Sequence, residues 1–172
     1  MDDVLILTGF MGTGKSAAGR LLAEELGWDF LDLDEEVERA AGKSVARIFA
    51  EEGEVRFRER EAEALSLALT RTRLVIATGG GVLGRAENRR ILAGRTVVNL
   101  GASVQECLRR VRGSPVERPL LSGPDPQAAA RRLWEERRPL YAAVPLQVDT
   151  TGKSPREVAR EIRERFLGEG TA

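Results

Sequence analysis

Residues 9–16 read GFMGTGKS, set between the apolar run Val4-Leu5-Ile6-Leu7 and a helical-looking stretch at 17–26. Gly9, Gly14, Lys15 and Ser16 fit the pattern G-x-x-x-x-G-K-[ST], in the strand–loop–helix setting that gives it meaning. No other feature constrains the fold as much. A P-loop requires a strand that ends at the ligand and a helix whose N-terminus faces it, and this is the geometry of an open α/β sheet. The glycines let backbone N–H groups close around phosphate oxygens. Lys15 is expected to reach the β- and γ-phosphates, and the Ser16 hydroxyl to bind Mg²⁺. The competing explanation is a fortuitous Gly-rich turn. The motif points to a nucleoside triphosphate and leaves open where its terminal phosphate goes.

The remaining sequence suits such a sheet. Short apolar runs at 5–8, 29–32, 74–78, 96–100 and 146–149 alternate with helical patterns. They lack clean alternation, as expected of strands buried on both faces, and strands separated by helices imply a parallel sheet. Ser154-Pro155-Arg156-Glu157 reads as a capping box that opens a helix with Val158, Ile162 and Phe166 on one face. Asp125-Pro126 opens another, with Ala129, Leu133 and Leu140 on its apolar face and Pro139 expected to end or kink it. The stretch 112–124 is rich in Gly, Pro and cations and reads as a mobile loop, and the tail at 168–172 as frayed. With 172 residues the chain fits one domain.

Composition excludes several chemistries. There is no histidine, which removes imidazole metal sites and Ser-His or Cys-His nucleophile pairs. The one cysteine, Cys107, shares a helical face with Val104, Leu108 and Val111, and reads as a packing thiol rather than a reactive one. Lys plus Arg equals Asp plus Glu at 27 each, so net charge gives no support for nucleic acid or an anionic membrane as partner. The opening Met1-Asp2-Asp3 does not read as a signal peptide, and no apolar stretch approaches a bilayer span. A cytoplasmic protein is the expectation.

Four groups of residues could carry chemistry beyond the P-loop. In Leu31-Asp32-Leu33-Asp34, an extended backbone would project Asp32 and Asp34 to one side. One carboxylate could hold Mg²⁺ through water and the other accept a hydroxyl proton. Alternatively, these are strand-end acids with Asp34 capping a helix over 35–41. The run Gly79-Gly80-Gly81 ends a strand without a Walker B carboxylate. It could lay a small ligand on bare backbone N–H donors, or be a flexible turn. Arg58 has Glu61 one turn on, so it is either an oriented guanidinium or part of a solvated charged helix face. Arg118, in the loop, could neutralise charge developing on a transferring phosphate, and Arg137 could receive a carboxylate.

The ordered set GFMGTGKS, D-L-D at 32–34, I-F…G-E…F-R at 48–58, G-G-G at 79–81, R-P-L-L at 118–121 and R-R-P-L-Y at 137–141 resembles the shikimate kinase family. The resemblance runs from Leu5 to Phe166. It implies a three-layer P-loop sandwich with a five-stranded parallel sheet in the order 2-3-1-4-5, a mobile lid near 112–124 and substrate-binding helices near 34–60. It also implies Mg²⁺-dependent phosphoryl transfer from ATP to the 3-hydroxyl of shikimate, a step toward chorismate, in a monomer. By motif, Gly12, Thr13, Gly14, Lys15, Ser16 and Ala17 match the ATP-binding loop, and Ser16 and Asp32 the Mg²⁺ ligands. Asp34 resembles the residue at the reacting hydroxyl. Arg58 and Arg137 look like the carboxylate clamp, Gly79, Gly80 and Gly81 the opposite wall, and Arg118 the lid arginine. Lys153 and Pro155 are similar to the adenine-side loop. Arg110, chosen from Arg109, Arg110 and Arg112, matches the adenine-stacking arginine. A related small-molecule kinase, such as a gluconate kinase, and a non-catalytic nucleotide-binding module are the competing readings.

Overall fold

The computed structural model describes residues 3–167. The opening Met1-Asp2 and the tail at 168–172 lie outside the described residues. Strands β1 (Val4–Thr8), β2 (Asp29–Asp32), β3 (Leu74–Ala77), β4 (Thr96–Gly101) and β5 (Leu146–Asp149) form one sheet in the order β2-β3-β1-β4-β5. Every pairing is parallel. Both the order and the strand positions match the expectation to within a residue or so at the ends.

Alternation along β1 explains the layers. Val4 and Ile6 belong to a core on one face of the sheet, and Leu5 and Leu7 to a core on the other. Both sets are buried, so the strand reads as a continuous apolar run. The second face is covered by helices α1 (Lys15–Leu26) and α7 (Pro155–Ile162), through Leu22, Leu26, Val158 and Ile162. The first face is covered by α2 (Leu33–Ala41), α3 (Val45–Ala68), α5 (Val104–Arg112) and α6 (Pro126–Ala142). A short α4 (Ala86–Leu92) precedes β4. Truncating a fully buried side chain such as Ile6 would cost about 2–5 kcal/mol.

The helix ends follow the sequence with three instructive exceptions. The capping box at Ser154 and Glu157 forms, and Asp125 caps α6 through the N–H of Ala128. However, α6 runs through Pro139 to Ala142. Pro139 and Glu135 are both exposed, so the interrupted backbone bond falls on the solvent side, where water can replace it. Second, α2 starts at Leu33 and its cap is Asp32, not Asp34. Asp34 therefore leaves the sheet on a helix, and the extended-strand argument for its direction does not hold. Third, the loop at 112–124 contains a 3₁₀ turn, Pro119–Leu121, with Leu121 buried against the first core. Cys107 is fully buried, and burial pushes its thiol pKa up, as a packing residue requires.

Candidate active site

The C-terminal ends of β1, β2 and β3 open into a cleft of about 910 Å³. It is lined by Gly12, Gly14, Lys15, Ser16 and Ala17, by Asp32 and Asp34, by Arg58, by Gly79 to Gly81, and by Arg110, Arg118 and Arg137. These segments lie far apart in sequence, and the crossovers of the sheet bring them to one rim. Three expected residues are not on this wall. Thr13 is buried, its hydroxyl donating to Phe10 O at 2.8 Å, so its contribution is to the shape of the loop. Lys153 is tied to Glu161 at 2.6 Å, and Pro155 is the first residue of α7.

The P-loop segment presents mostly backbone to the cleft. Gly14 has a left-handed conformation (φ 88°) and caps α1, so that the helix N-terminus faces the cleft. Lys15 Nζ donates to the carbonyls of Gly9 at 2.8 Å and Phe10 at 2.9 Å. Burial, helped by the nearby charge of Arg118, lowers the Lys15 pKa to about 8 against the pull of Asp34 and Asp32. The two cations lie close together, more cation than Asp34 and Asp32 offset at Lys15, and a bound polyphosphate would relieve that crowding. Arg110 joins this segment to its neighbours: it donates to Gly12 O at 3.3 Å, to Thr150 Oγ1 at 3.0 Å and to Thr150 O at 2.8 Å. Arg109 is exposed and paired with Glu106, and Arg112 is exposed.

Ser16 Oγ donates to Asp32 Oδ2, while Asp32 Oδ1 accepts the Asp34 N–H at 3.0 Å. One carboxylate thus caps α2 and faces the P-loop serine. Mg²⁺ takes few protein ligands and fills its shell with phosphate and water oxygens. A hydroxyl opposite a carboxylate, both hard oxygen donors, fits that ion. Among the described residues no group of three or more His, Cys, Asp or Glu offers the fuller cage of a resident metal.

On the other side of the cleft the site is made of side chains. Arg58 Nη1 meets Glu61 Oε2 at 2.9 Å, and Glu61 is completely buried. The solvated-helix alternative for Arg58 therefore does not hold: its side chain is 14% exposed and aimed inward. Arg137 is also buried. Between them lies the glycine run, and a Cβ there has no room: at Gly79 it would strike Glu61 Oε1, and at Gly81 the Arg58 guanidinium. The glycines are thus needed to admit side chains as well as to bare the backbone. Gly53, at φ 83° inside α3, breaks that helix and sets the direction of the turn carrying Phe57 and Arg58.

Asp34 stands where the two sides meet. Its Oδ1 is buried without a hydrogen-bond partner, as are Glu61 Oε1 and Arg118 Nε. Asp34 and Arg118 line the cleft, and orphaned polar atoms there mark a place for a polar ligand. Burial, then the charges of Glu61 and Asp32, push the Asp34 pKa up to about 6 against Lys15 and Arg118. Sequence reasoning assigned nothing to Phe49, Phe57 or Glu38, which also line the cleft. The two phenylalanines lie within the 48–58 motif, but only the fold brings their rings into tilted contact, 4.8 Å between centroids.

A family model described as shikimate kinase matches residues 11–167. The chain belongs to the shikimate kinase family. Its function is that of a shikimate kinase, an ATP-dependent kinase of a small molecule. It is 48% identical over 170 residues to shikimate kinase of Symbiobacterium thermophilum, covering 96% of this chain and 97% of that protein. It is 46% identical to shikimate kinase of Moorella thermoacetica, over 95% and 94% of the two chains. The solved shikimate kinase from Acinetobacter baumannii in complex with shikimate superposes with a TM-score of 0.90 at 38% identity, covering 100% of this chain and 97% of that one. No helix of the described residues is long and apolar enough to cross a membrane.

Proposed function

We propose that this chain transfers the γ-phosphoryl group of Mg·ATP to the 3-hydroxyl of shikimate, as a cytoplasmic monomer with shikimate and ATP as its partners and neither nucleic acid nor membrane among them. The observation that carries the residue assignment is the position of Asp34, unpartnered and buried between a phosphate-type loop and an arginine pair. The backbone N–H groups of Gly12 to Ala17, with Lys15, hold the triphosphate; Lys15 exchanges the Gly9 and Phe10 carbonyls for phosphate oxygens. Ser16 and Asp32 hold Mg²⁺, directly and through water. When bound, the ion screens phosphate charge and helps orient the triphosphate. Arg110, with Lys153 and Pro155, borders the adenine.

Arg58 and Arg137 grip the acceptor's carboxylate, a charge-assisted contact suited to planar guanidinium groups. The glycine run supplies donors to its hydroxyls. Asp34 accepts the proton of the attacking hydroxyl at Oδ1, and its raised affinity for a proton suits it to that task. Arg118 stabilises charge on the phosphoryl group in flight. The whole chain acts as one domain. Its segment at 112–124 closes over ATP and its segment at 34–60 over the acceptor, which excludes water and limits hydrolysis.

The direct test measures ADP release from Mg·ATP with and without shikimate, with gluconate and other small hydroxy acids in parallel. Strong stimulation by shikimate alone is the expected result. Stimulation by gluconate instead, or slow turnover indifferent to any acid, would overturn the acceptor assignment.

A further inference from the structure

The scheme above leaves the buried hydroxyl of Tyr141 without a task. Tyr141 is 7% exposed, and its Oη donates to the carbonyl oxygen of Gly80. The flanking carbonyls of the glycine run are already held by local backbone: Val82 N–H donates to Gly79 O at 3.2 Å, and Gly84 N–H to Gly81 O at 2.9 Å. The central one is held by a side chain from α6. With the three acceptors engaged, what the run has left to offer the cleft is its N–H groups. In a trans peptide the Gly80 carbonyl and the Gly81 N–H point in opposite directions, so fixing one directs the other. Consecutive glycines are the freest of backbones, and ordering them at the moment of binding would weaken the acceptor's affinity.

The tyrosine is itself anchored. Gln147 Nε2 donates to Tyr141 O at 2.8 Å and to Val144 O at 2.6 Å, and its Oε1 accepts from Asn99 Nδ2 at 2.7 Å. A chain of hydrogen bonds therefore runs from β4 through β5 and the last turn of α6 to the glycines. Tyr141 lies one turn beyond Arg137, on the same side of the helix. A Cβ at Gly80 would sit 3.3 Å from Arg137 Nη1 and 3.5 Å from Tyr141 Oη, so one face of α6 meets the run twice. Burial pushes the phenol pKa up to about 12, which keeps the hydroxyl a donor at any working pH.

We propose that Tyr141 is a positioning residue for the acceptor: its hydroxyl fixes the Gly80 carbonyl and so turns the Gly81 N–H toward the molecule held by Arg58 and Arg137. The inference rests on the reading that Gly79 to Gly81 border the acceptor. Tyr141→Phe keeps the ring and removes the donor. The expected result is a KM for shikimate raised about tenfold, with kcat and the KM for ATP within about twofold. A purely packing role would shift the melting temperature and leave this split unseen. In parallel, the ¹⁵N–¹H signals of Gly79 to Gly81 are followed as shikimate is added without nucleotide. They are expected to move in the wild type and to respond weakly in Tyr141→Phe. No response in the wild type would overturn the underlying reading of the glycine run. A clear wild-type response with an unchanged shikimate KM in the variant would overturn the role of Tyr141 alone. If Tyr141→Phe does not fold, Gln147→Ala, which removes the side-chain tether on the Tyr141 carbonyl and leaves only the Val144 N–H on it, carries the test: a rise of about threefold in the shikimate KM is expected, and no change overturns the proposal.

Discussion

The two sides of the cleft are made by opposite methods. The side we assign to phosphate is built around one contiguous segment, Gly9 to Ser16, whose donors are backbone N–H groups, a helix N-terminus and Lys15, with Arg110 and Arg118 reaching in from elsewhere. The acceptor side is assembled from α2, α3, the turn after β3 and α6, and its groups are charged side chains buried against one another. Backbone dipoles are fixed when the loop folds and need no partner to stay in place. Buried side-chain charges must be balanced, and here Arg58 is balanced by Glu61 while Asp34 Oδ1 and Glu61 Oε1 are left unsatisfied. Unrelieved buried charge is therefore concentrated on the side we assign to the acceptor, and on the other it is confined to Lys15 and Arg118 Nε.

The sharpest way to break this comparison is at Arg118, which faces both sides. Arg118→Ala is expected to lower kcat by about 10³-fold while the shikimate KM changes little. A defect confined to affinity would remove its transition-state role. Asp34→Asn is expected to keep ATP binding, measured by calorimetry, and to lose about 10²- to 10⁴-fold in turnover; full activity would remove Asp34 as the base. Arg58→Ala should raise the shikimate KM about a hundredfold with the KM for ATP unchanged, and should also destabilise the fold, because it leaves Glu61 buried and unpaired. Equal loss for both substrates would mean that the two sides are not separable.

This buried charge has its own signature in pH. Asp34 binds its proton more tightly in the folded protein, at a pKa of about 6 against an ordinary 3.8. Between these values the native state holds a proton that the unfolded chain has released, so stability falls as pH rises through this window. Asp34→Asn does not titrate. It should therefore be more stable than wild type at pH 7 by about 3 kcal/mol, a difference that closes toward pH 4. Denaturant melts at the two pH values check this, and a variant less stable at pH 7 would contradict it. The smallest effect is expected at Gly53. A Cβ there meets nothing within 4 Å, so Gly53→Ala should cost only the backbone strain of φ 83° and ψ 170°, about 1–3 kcal/mol, and move Arg58 slightly. A larger loss would mean that the kink in α3 is part of the core.

Much of this molecule could be read from its residues, and the limit is physical. Local signals carried the strands, the P-loop, the caps at Ser154 and Asp125, and the packing role of Cys107, because each depends on neighbours within a few residues. The family pattern carried the candidate site residues, most of which the fold gathers at one cleft; Thr13, Lys153 and Pro155 lie off its wall. Where the reading went astray, long-range packing decided. Asp32, not Asp34, caps α2, because its carboxylate also faces Ser16 across the sheet edge. Pro139 does not end α6, because its interrupted bond faces water. For Arg58, spacing alone left a solvated helix face open beside an oriented guanidinium, and only the burial of Glu61 beneath it removes the first. The sequence by itself determined the P-loop, since its strand, eight loop residues and helix N-terminus are contiguous and need no distant partner to be recognised. Tertiary structure alone decided the acceptor side and the hold of Tyr141 on Gly80, since no local stretch contains both partners of those contacts and burial sets their charge states.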